Sequence, residues 1–259
     1  MKRIFVVPIN DGEAVEIRNL LQDGGEVVVE SVLRWGARWE KLEPEVVAEI
    51  ERLRSLNPGV QIYGVELAGP NQWGARNIDH HKYQDEDRSN SKSSLEQVAE
   101  LLGVQLTRHQ FLVSENDKGW IPALIAAGAS PDEIELVRAQ DRQAQGVTPD
   151  DEAQALRDIE AAQWQGRKVW LQCLKGATSA HTDRLFGQFD EALTVDGVNG
   201  KWIYFGPRSE DFFALTEGGT EGIRWKSPRP GGYSGAEKPQ EETQEAIRNF
   251  FGSNSLTSF

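Results

Sequence analysis

The chain is poor in the residues that usually announce a mechanism. It has one cysteine, Cys173, in 259 residues, so no disulfide can form within it. Cys173 lies in the apolar stretch 168–174 and reads as a small core residue rather than a nucleophile. No apolar run approaches the length that spans a bilayer, which predicts a protein without a membrane segment. The start, residues 1–8, holds too short an apolar stretch for a signal peptide and reads as a first strand, so a cytoplasmic location is expected. Basic residues are also scarce: 28 Lys and Arg stand against 41 Asp and Glu, for a net charge of −13. That balance excludes a broad, sequence-independent grip on double-stranded nucleic acid, which needs cations to displace counterions. A small phosphorylated substrate held locally stays open. The sequence leaves the oligomeric state unspecified.

Enough is present for a folded protein. Hydrophobic residues make up 38% and charged residues 27%, and the length suits two domains. In the first part, strand-like and helix-like segments alternate. Residues 4–9, 26–32, 60–67 and 76–78 read as strands, and 13–21, 44–56 and 93–102 as helices. This order predicts an α/β domain with a mostly parallel sheet flanked by helices. Residues 111–113 form a further apolar segment, read as strand-like and placing Asp117 at a strand-to-helix junction; helices follow at 120–128 and from 130. Residues 150–164 read as one polar connecting helix. Beyond it the order strand, helix, strand, strand, helix, strand predicts a smaller α+β, ferredoxin-like domain. The glycine-rich segment 228–235 reads as a loop, and 241–251 as a last helix. The expected boundaries are therefore 1–150, a connector at 151–166, and 167–259.

Two of only four histidines are adjacent, in Asp79-His80-His81, at the end of the short strand 76–78. Imidazole and carboxylate together suit divalent metals such as Mn²⁺, Mg²⁺ and Zn²⁺. Ligands of α/β sheets gather at the carboxyl ends of strands. Asp11 with Glu13, Glu66, Asp79 and Asp117 are all expected at such ends. The alternative is that acids after strands are turn and cap residues, a reading strongest for Asp11 and Glu13. His109 and His181 read as surface or cap-region residues. Trp73 and Trp120 lie close in sequence to the acidic positions and could stack on a base, although tryptophans more often pack in cores.

Ile78-Asp79-His80-His81, followed by Ser93-Ser94-Leu95-Glu96 and Asn116-Asp117-Lys118-Gly119, resembles the DHH phosphoesterase superfamily. Its members include manganese-dependent pyrophosphatases, single-strand exonucleases, and nanoRNA and cyclic-dinucleotide phosphodiesterases. The resemblance covers roughly residues 60–130 at the level of motifs. It implies a metal-dependent hydrolase of a small phosphorylated or nucleotide-like substrate, working in a cleft between two domains. It implies Asp79, His80, Asp117, Glu66 and Asp11 as metal ligands, and His81 and Asp117 as catalytic residues. It implies Mn²⁺ first, with Mg²⁺ or Zn²⁺ as alternatives. The family's first motif appears as Asp11-Gly12-Glu13. Its C-terminal glycine motif appears as Gly231-Gly232-Tyr233-Ser234-Gly235, without a histidine, which implies Arg229, Gly231, Gly232 and Ser234 as substrate contacts. A catalytically degenerate relative that binds a metal or nucleotide is the alternative.

Overall fold

In the computed structural model, which describes residues 3–81, 87–175, 178–226 and 232–252, the chain divides into two units, Met1–Gly146 and Val147–Phe259. The first is built on β1 (Ile4–Pro8), whose five residues are all buried. Alternate residues of a strand face opposite sides of its sheet. Phe5 and Val7 therefore enter one core and Ile4 and Val6 another. A strand apolar on both faces belongs in the middle of a covered parallel sheet. The order is β2 (Val27–Ser31), β1, β3 (Ile62–Val65), β4 (Arg76–Ile78), with every pairing parallel.

Helices α1 (Gly12–Asp23), α3 (Ser94–Leu102), α4 (Arg108–Ala126) and α5 (Pro131–Ala144) contribute to the Phe5 core. Helix α2 (Pro44–Leu56) and Trp39 fill the other. Trp39 requires a glycine opposite it: a Cβ on Gly64 would stand 2.1 Å from the indole Cζ2. Helices α3, α4 and α5 each begin with a reciprocal capping box, on Ser93, Thr107 and Ser130. Each box satisfies two amides that the helix itself leaves without partners.

The second unit holds α6 (Pro149–Glu160), β5 (Gln163–Gln165), β6 (Lys168–Cys173), α7 (Thr178–Leu185), β7 (Glu191–Asp196), β8 (Lys201–Phe205), α8 (Ser209–Leu215), β9 (Arg224–Lys226), β10 (Tyr233–Glu237) and α9 (Glu241–Phe251). Its sheet runs β5-β6-β7-β8-β10-β9, with β6 and β7 parallel and the other pairs antiparallel. Trp170, Leu193, Trp202, Tyr204 and Phe212 pack on one face, and Val169, Leu171 and Cys173 on the other. Cys173 is fully buried, as its apolar setting predicts.

The α/β class with a second α+β unit holds, and four details change. In a ferredoxin-like unit another strand separates the parallel pair; here β6 and β7 are direct neighbours. The polar helix ends at Glu160, and Trp164 belongs to β5, hairpin-paired to β6. The segment 111–113 lies in the first half of α4, where Leu112 and Val113 are turned into the core. The glycine-rich segment is only partly a loop: residues 233–235 belong to β10, between β8 and β9. Gly235 makes that possible, since a Cβ there would stand 2.1 Å from the ring of Trp225. Arg229 and Gly231 lie outside the described residues. No helix among the described residues is long and apolar enough to cross a membrane.

Candidate metal centre

Four elements of the first unit bring acids and histidines together at the carboxyl ends of its strands. Asp11 follows β1 and caps α1, its side chain accepting from the Ala14 amide at 2.9 Å. Glu66 follows β3 with a positive φ of 51°, a left-handed conformation uncommon for a residue with a side chain. Its amide donates to the Ile78 carbonyl, which ties the end of β3 to the end of β4. Asp79-His80-His81 follows β4. Asp117 comes from α4, two residues before that helix breaks at Gly119 and Trp120.

Glu66, His80, His81 and Asp117 each offer one donor atom within 4.8 Å of the others. The Nε2 of His80 lies 2.6 Å from Asp117 Oδ2, 3.5 Å from Glu66 Oε1 and 4.0 Å from Glu13 Oε2. His80 Nε2, Asp117 Oδ2 and Glu13 Oε2 are buried, yet none makes a hydrogen bond of acceptable geometry. Buried polar atoms without partners are rare and costly. Around them lie two imidazoles, His80 and His81, and carboxylates from three segments, Glu13, Glu66 and Asp117, a donor set suited to a divalent cation.

Burial opposes a charge on His80, but the carboxylates of Asp117 and Glu66 outweigh it and push its pKa up to about 11. His81 follows the same pattern: burial opposes, Glu66 and Asp79 prevail, and the value rises to about 9. Burial would raise Glu66, but His81 and His80 draw it down to about 2. Asp11 and Glu13 are pushed well above the usual carboxylate range, first by burial and then by neighbouring acids. The site crowds carboxyl groups whose ionised forms a bound cation would favour.

The predicted site residues divide. Glu66, His80 and Asp117, expected as ligands, meet. His81, expected as catalytic, joins them. Asp79 is held differently: its Oδ1 accepts from the amides of His80 and His81 at 2.8 and 3.0 Å and lies 3.1 Å from His81 Nδ1. Its Oδ2 lies 3.4 Å from Arg88, whose guanidinium also donates to the Leu67 carbonyl. Asp79 thus holds the backbone of both histidines and meets the ring of His81. Asp11 is buried beside the group, where burial and then the charges of Glu66 and Asp117 disfavour its ionised form.

In the second unit, Ser234 is buried and its hydroxyl donates to the Ser209 carbonyl, while the Gly232 carbonyl accepts from the Gly206 amide. His109 sits apart, 3.9 Å from Glu16. His181 is not a surface residue: it is fully buried, with Nε2 2.8 Å from Asp158 Oδ2. Trp73 packs edge-on against Trp39, and Trp35 stands edge-on to His81.

Sequence reasoning placed Glu13 among the acids at the strand ends but left it out of the ligand set, with a turn or cap role as its alternative. Its position two after Asp11 was the available signal. One of its oxygens accepts from the Leu95 amide at the start of α3, and Ser94 Oγ donates to Glu66 there. That helix N-terminus thus faces two of the acids, where its dipole is favourable.

A buried network behind the candidate ligands was also missed. Arg138 Nη1 donates to Asn116 Oδ1 at 2.9 Å and to Asp141 Oδ2 at 2.7 Å, and Asp141 Oδ1 accepts from the Gly12 amide at 3.0 Å. It joins the segment 11–13 to the segment 116–117. Its only trace in the sequence is an Arg-x-x-Asp pair on the apolar side of α5.

No family model and no curated protein matches the sequence. Solved structures do match. An exopolyphosphatase-related protein from Bacteroides fragilis has a TM-score of 0.52 at 13% identity, over 96% of this chain and 92% of that one. RecJ from Thermus thermophilus in complex with Mn²⁺ has the same TM-score and identity, over 96% of this chain and 52% of that one. Its Mg²⁺ complex has a TM-score of 0.51 at 12% identity. The chain thus spans about half the length of RecJ and nearly all of the exopolyphosphatase-related protein. Its fold is the one that the Asp-His-His resemblance implied: it shares the α/β fold of the exopolyphosphatase-related protein across both chains, and that of RecJ across about half of RecJ's length.

Proposed function

We propose that the chain is a divergent DHH-type phosphoesterase that hydrolyses a small phosphorylated or nucleotide-like substrate with a divalent metal, Mn²⁺ first. The observation that carries this is the meeting of Glu66, His80, His81 and Asp117, with buried donor atoms of Glu13, His80 and Asp117 lacking hydrogen-bond geometry. A mixed imidazole and carboxylate set suits Mn²⁺. The Mn²⁺ and Mg²⁺ complexes of a protein with this fold support the same class of ion.

Glu66, His80 and Asp117 would hold the metal, with Glu13 beside them. A divalent ion there supplies Lewis-acid polarisation of a phosphoryl oxygen and activation of water. Asp79 fixes the histidine pair through the amides of 80 and 81. The His81 Nδ1 proton faces Asp79 Oδ1, so Nε2 carries the exchangeable proton. His81 is also the more exposed of the two rings, with its side chain 32% accessible, and a proton held there can pass to a leaving oxygen. A substrate contribution from the second unit, at Gly232 or at Arg229 and Gly231, belongs to this proposal. The Ser234 hydroxyl is already committed to Ser209.

The test is elemental analysis of the purified protein beside a His80→Ala, Asp117→Asn variant, followed by phosphodiester hydrolysis with the metal found. Near-stoichiometric Mn, lost in the variant together with turnover, is expected. A protein that neither carries metal nor takes up Mn²⁺ would overturn the reading.

A further inference from the structure

Most of the large aromatic side chains of the first unit are accounted for by packing. Trp39 is buried against Gly64 and donates to Asn77 Oδ1, and Trp73 packs against Trp39. Trp35 differs. It is 54% exposed, and its indole stands edge-on to the His81 ring, with 6.3 Å between centroids and 64° between planes.

The loop that carries it is anchored on both sides. It leaves β2 at Ser31 and turns at Gly36, whose φ of 75° is one that glycine adopts without strain. It is then pinned by paired backbone bonds: Ala68 donates to the Ala37 carbonyl at 2.9 Å, and Trp39 donates to the Ala68 carbonyl at 3.0 Å. Ala68 lies two residues beyond Glu66. The Trp35 platform and the Glu66 carboxylate are therefore parts of one bridged structure. Arg88, which contacts Asp79, donates to the Leu67 carbonyl in the same bridge.

We infer that Trp35 is a specificity-determining residue: its exposed indole face stacks on the nucleobase of the substrate while the adjoining phosphodiester lies at His81. This rests on the phosphoesterase reading and narrows it to base-bearing substrates, rather than to inorganic phosphate chains. An exposed tryptophan leaves a large apolar surface in water, and a flat π face is what any base can use. The separation between the indole and the His81 ring suits a base and its own phosphate joined by one sugar. Stacking of this kind is tolerant of base identity, so preference for a base over none is expected without strong preference among bases.

The experiment measures binding by calorimetry to the Mn²⁺-loaded protein, with non-hydrolysable phosphonate analogues of the dinucleotide pApA and of its abasic counterpart, and follows hydrolysis separately with the natural phosphodiesters. Wild type is expected to favour the pApA analogue by roughly ten-fold or more. In Trp35→Ala that ratio falls to near one, and in Trp35→Phe it lies between. Because the side chain is exposed, these variants keep the fold, which circular dichroism checks. Equal affinity of the wild type for both ligands, or a ratio unchanged in Trp35→Ala, overturns the inference. The binding ratio does not depend on turnover. Base-dependent binding without hydrolysis of either phosphodiester sinks the phosphoesterase reading and leaves Trp35 as a base platform. Hydrolysis without base preference does the reverse.

Discussion

Replacing Arg138 by methionine removes the cation between two of the segments that carry the site's acids. Arg138 and Asp141 are each about 5% exposed, so the remaining Asp141 charge has no water to turn to. Breaking a buried pair by removing one partner costs roughly 3–5 kcal/mol, because the other charge stays uncompensated. For a domain of this size each kcal/mol lowers the melting temperature by about 2–4 °C. The transition of the first unit should therefore fall by roughly 6–20 °C, read by calorimetry or by circular dichroism. The double variant Arg138→Met, Asp141→Asn separates charge from packing. Asparagine Oδ1 still accepts from Gly12, and the stranded charge is gone, so most of the lost stability returns. Mn²⁺ affinity should follow the same order, lowest in the single variant, since Asp141 sets the position of Gly12 between Asp11 and Glu13. A single variant melting within about 2 °C of wild type, or a double variant no better than the single, would refute the reasoning.

At neutral pH without metal, His80 and His81 carry protons, since their pKa values are raised to about 11 and about 9. Metal binds neutral imidazole. Mn²⁺ uptake should therefore displace the His80 proton, seen as a heat that changes with the buffer's ionisation enthalpy, and apparent affinity should climb with pH across and above the neutral range; a buffer-independent heat would count against the assignment. For the metal-free protein, raised histidine values mean stability that is full below the ordinary 6.5 and is lost as pH rises through about 9 and then about 11. The depressed Glu66 value is the other end of the same interaction, present above 4.5 and lost as pH falls through about 2. Gly64→Ala drives a methyl into Trp39 and should cost about 1–3 kcal/mol in urea denaturation, and an unchanged midpoint would contradict the close contact. Cys173 is fully buried with its thiol pKa pushed up by burial, so thiol reagents should label it only on unfolding; rapid labelling of the native protein would contradict the β6 placement.

The parallel sheet of the first unit was legible because its strands are short, β-branched and alternate with capped helices. The Ser93 and Ser130 helix starts stand in the sequence as Ser-x-x-Glu, a local pattern that needs no tertiary information. The Asp-His-His group was legible because histidine is scarce here. Residues 111–113 misled because a short apolar run has no period of its own, and only the packing of Leu112 and Val113 into the core shared with α1 and α3 decides for helix. Residues 233–235 misled because glycine signals a turn, whereas Gly235 answers to the indole of Trp225 across the sheet. The partners of Glu13 and of the Arg138–Asp141 pair were hidden for the same reason. They lie 82 and 129 residues away at Leu95 and Gly12, and no window along the chain holds both.

The break in α4 directly after Asp117 and Lys118 has a consequence in time. The donors of the candidate centre come from four stretches of chain, beginning with the segment at Asp11 and Glu13 and ending with Asp117. A nascent chain can pair β1 through β4 and still lack the last donor until the first half of α4 docks. Any ion that binds the complete set therefore favours the docked helix over earlier species, by about 2.7 kcal/mol when it is present at roughly a hundred times its dissociation constant. Metal retention then becomes a marker of maturation. In a pulse-labelled population, the chains that resist protease in the presence of Mn²⁺ would be those whose α4 has already closed over the sheet.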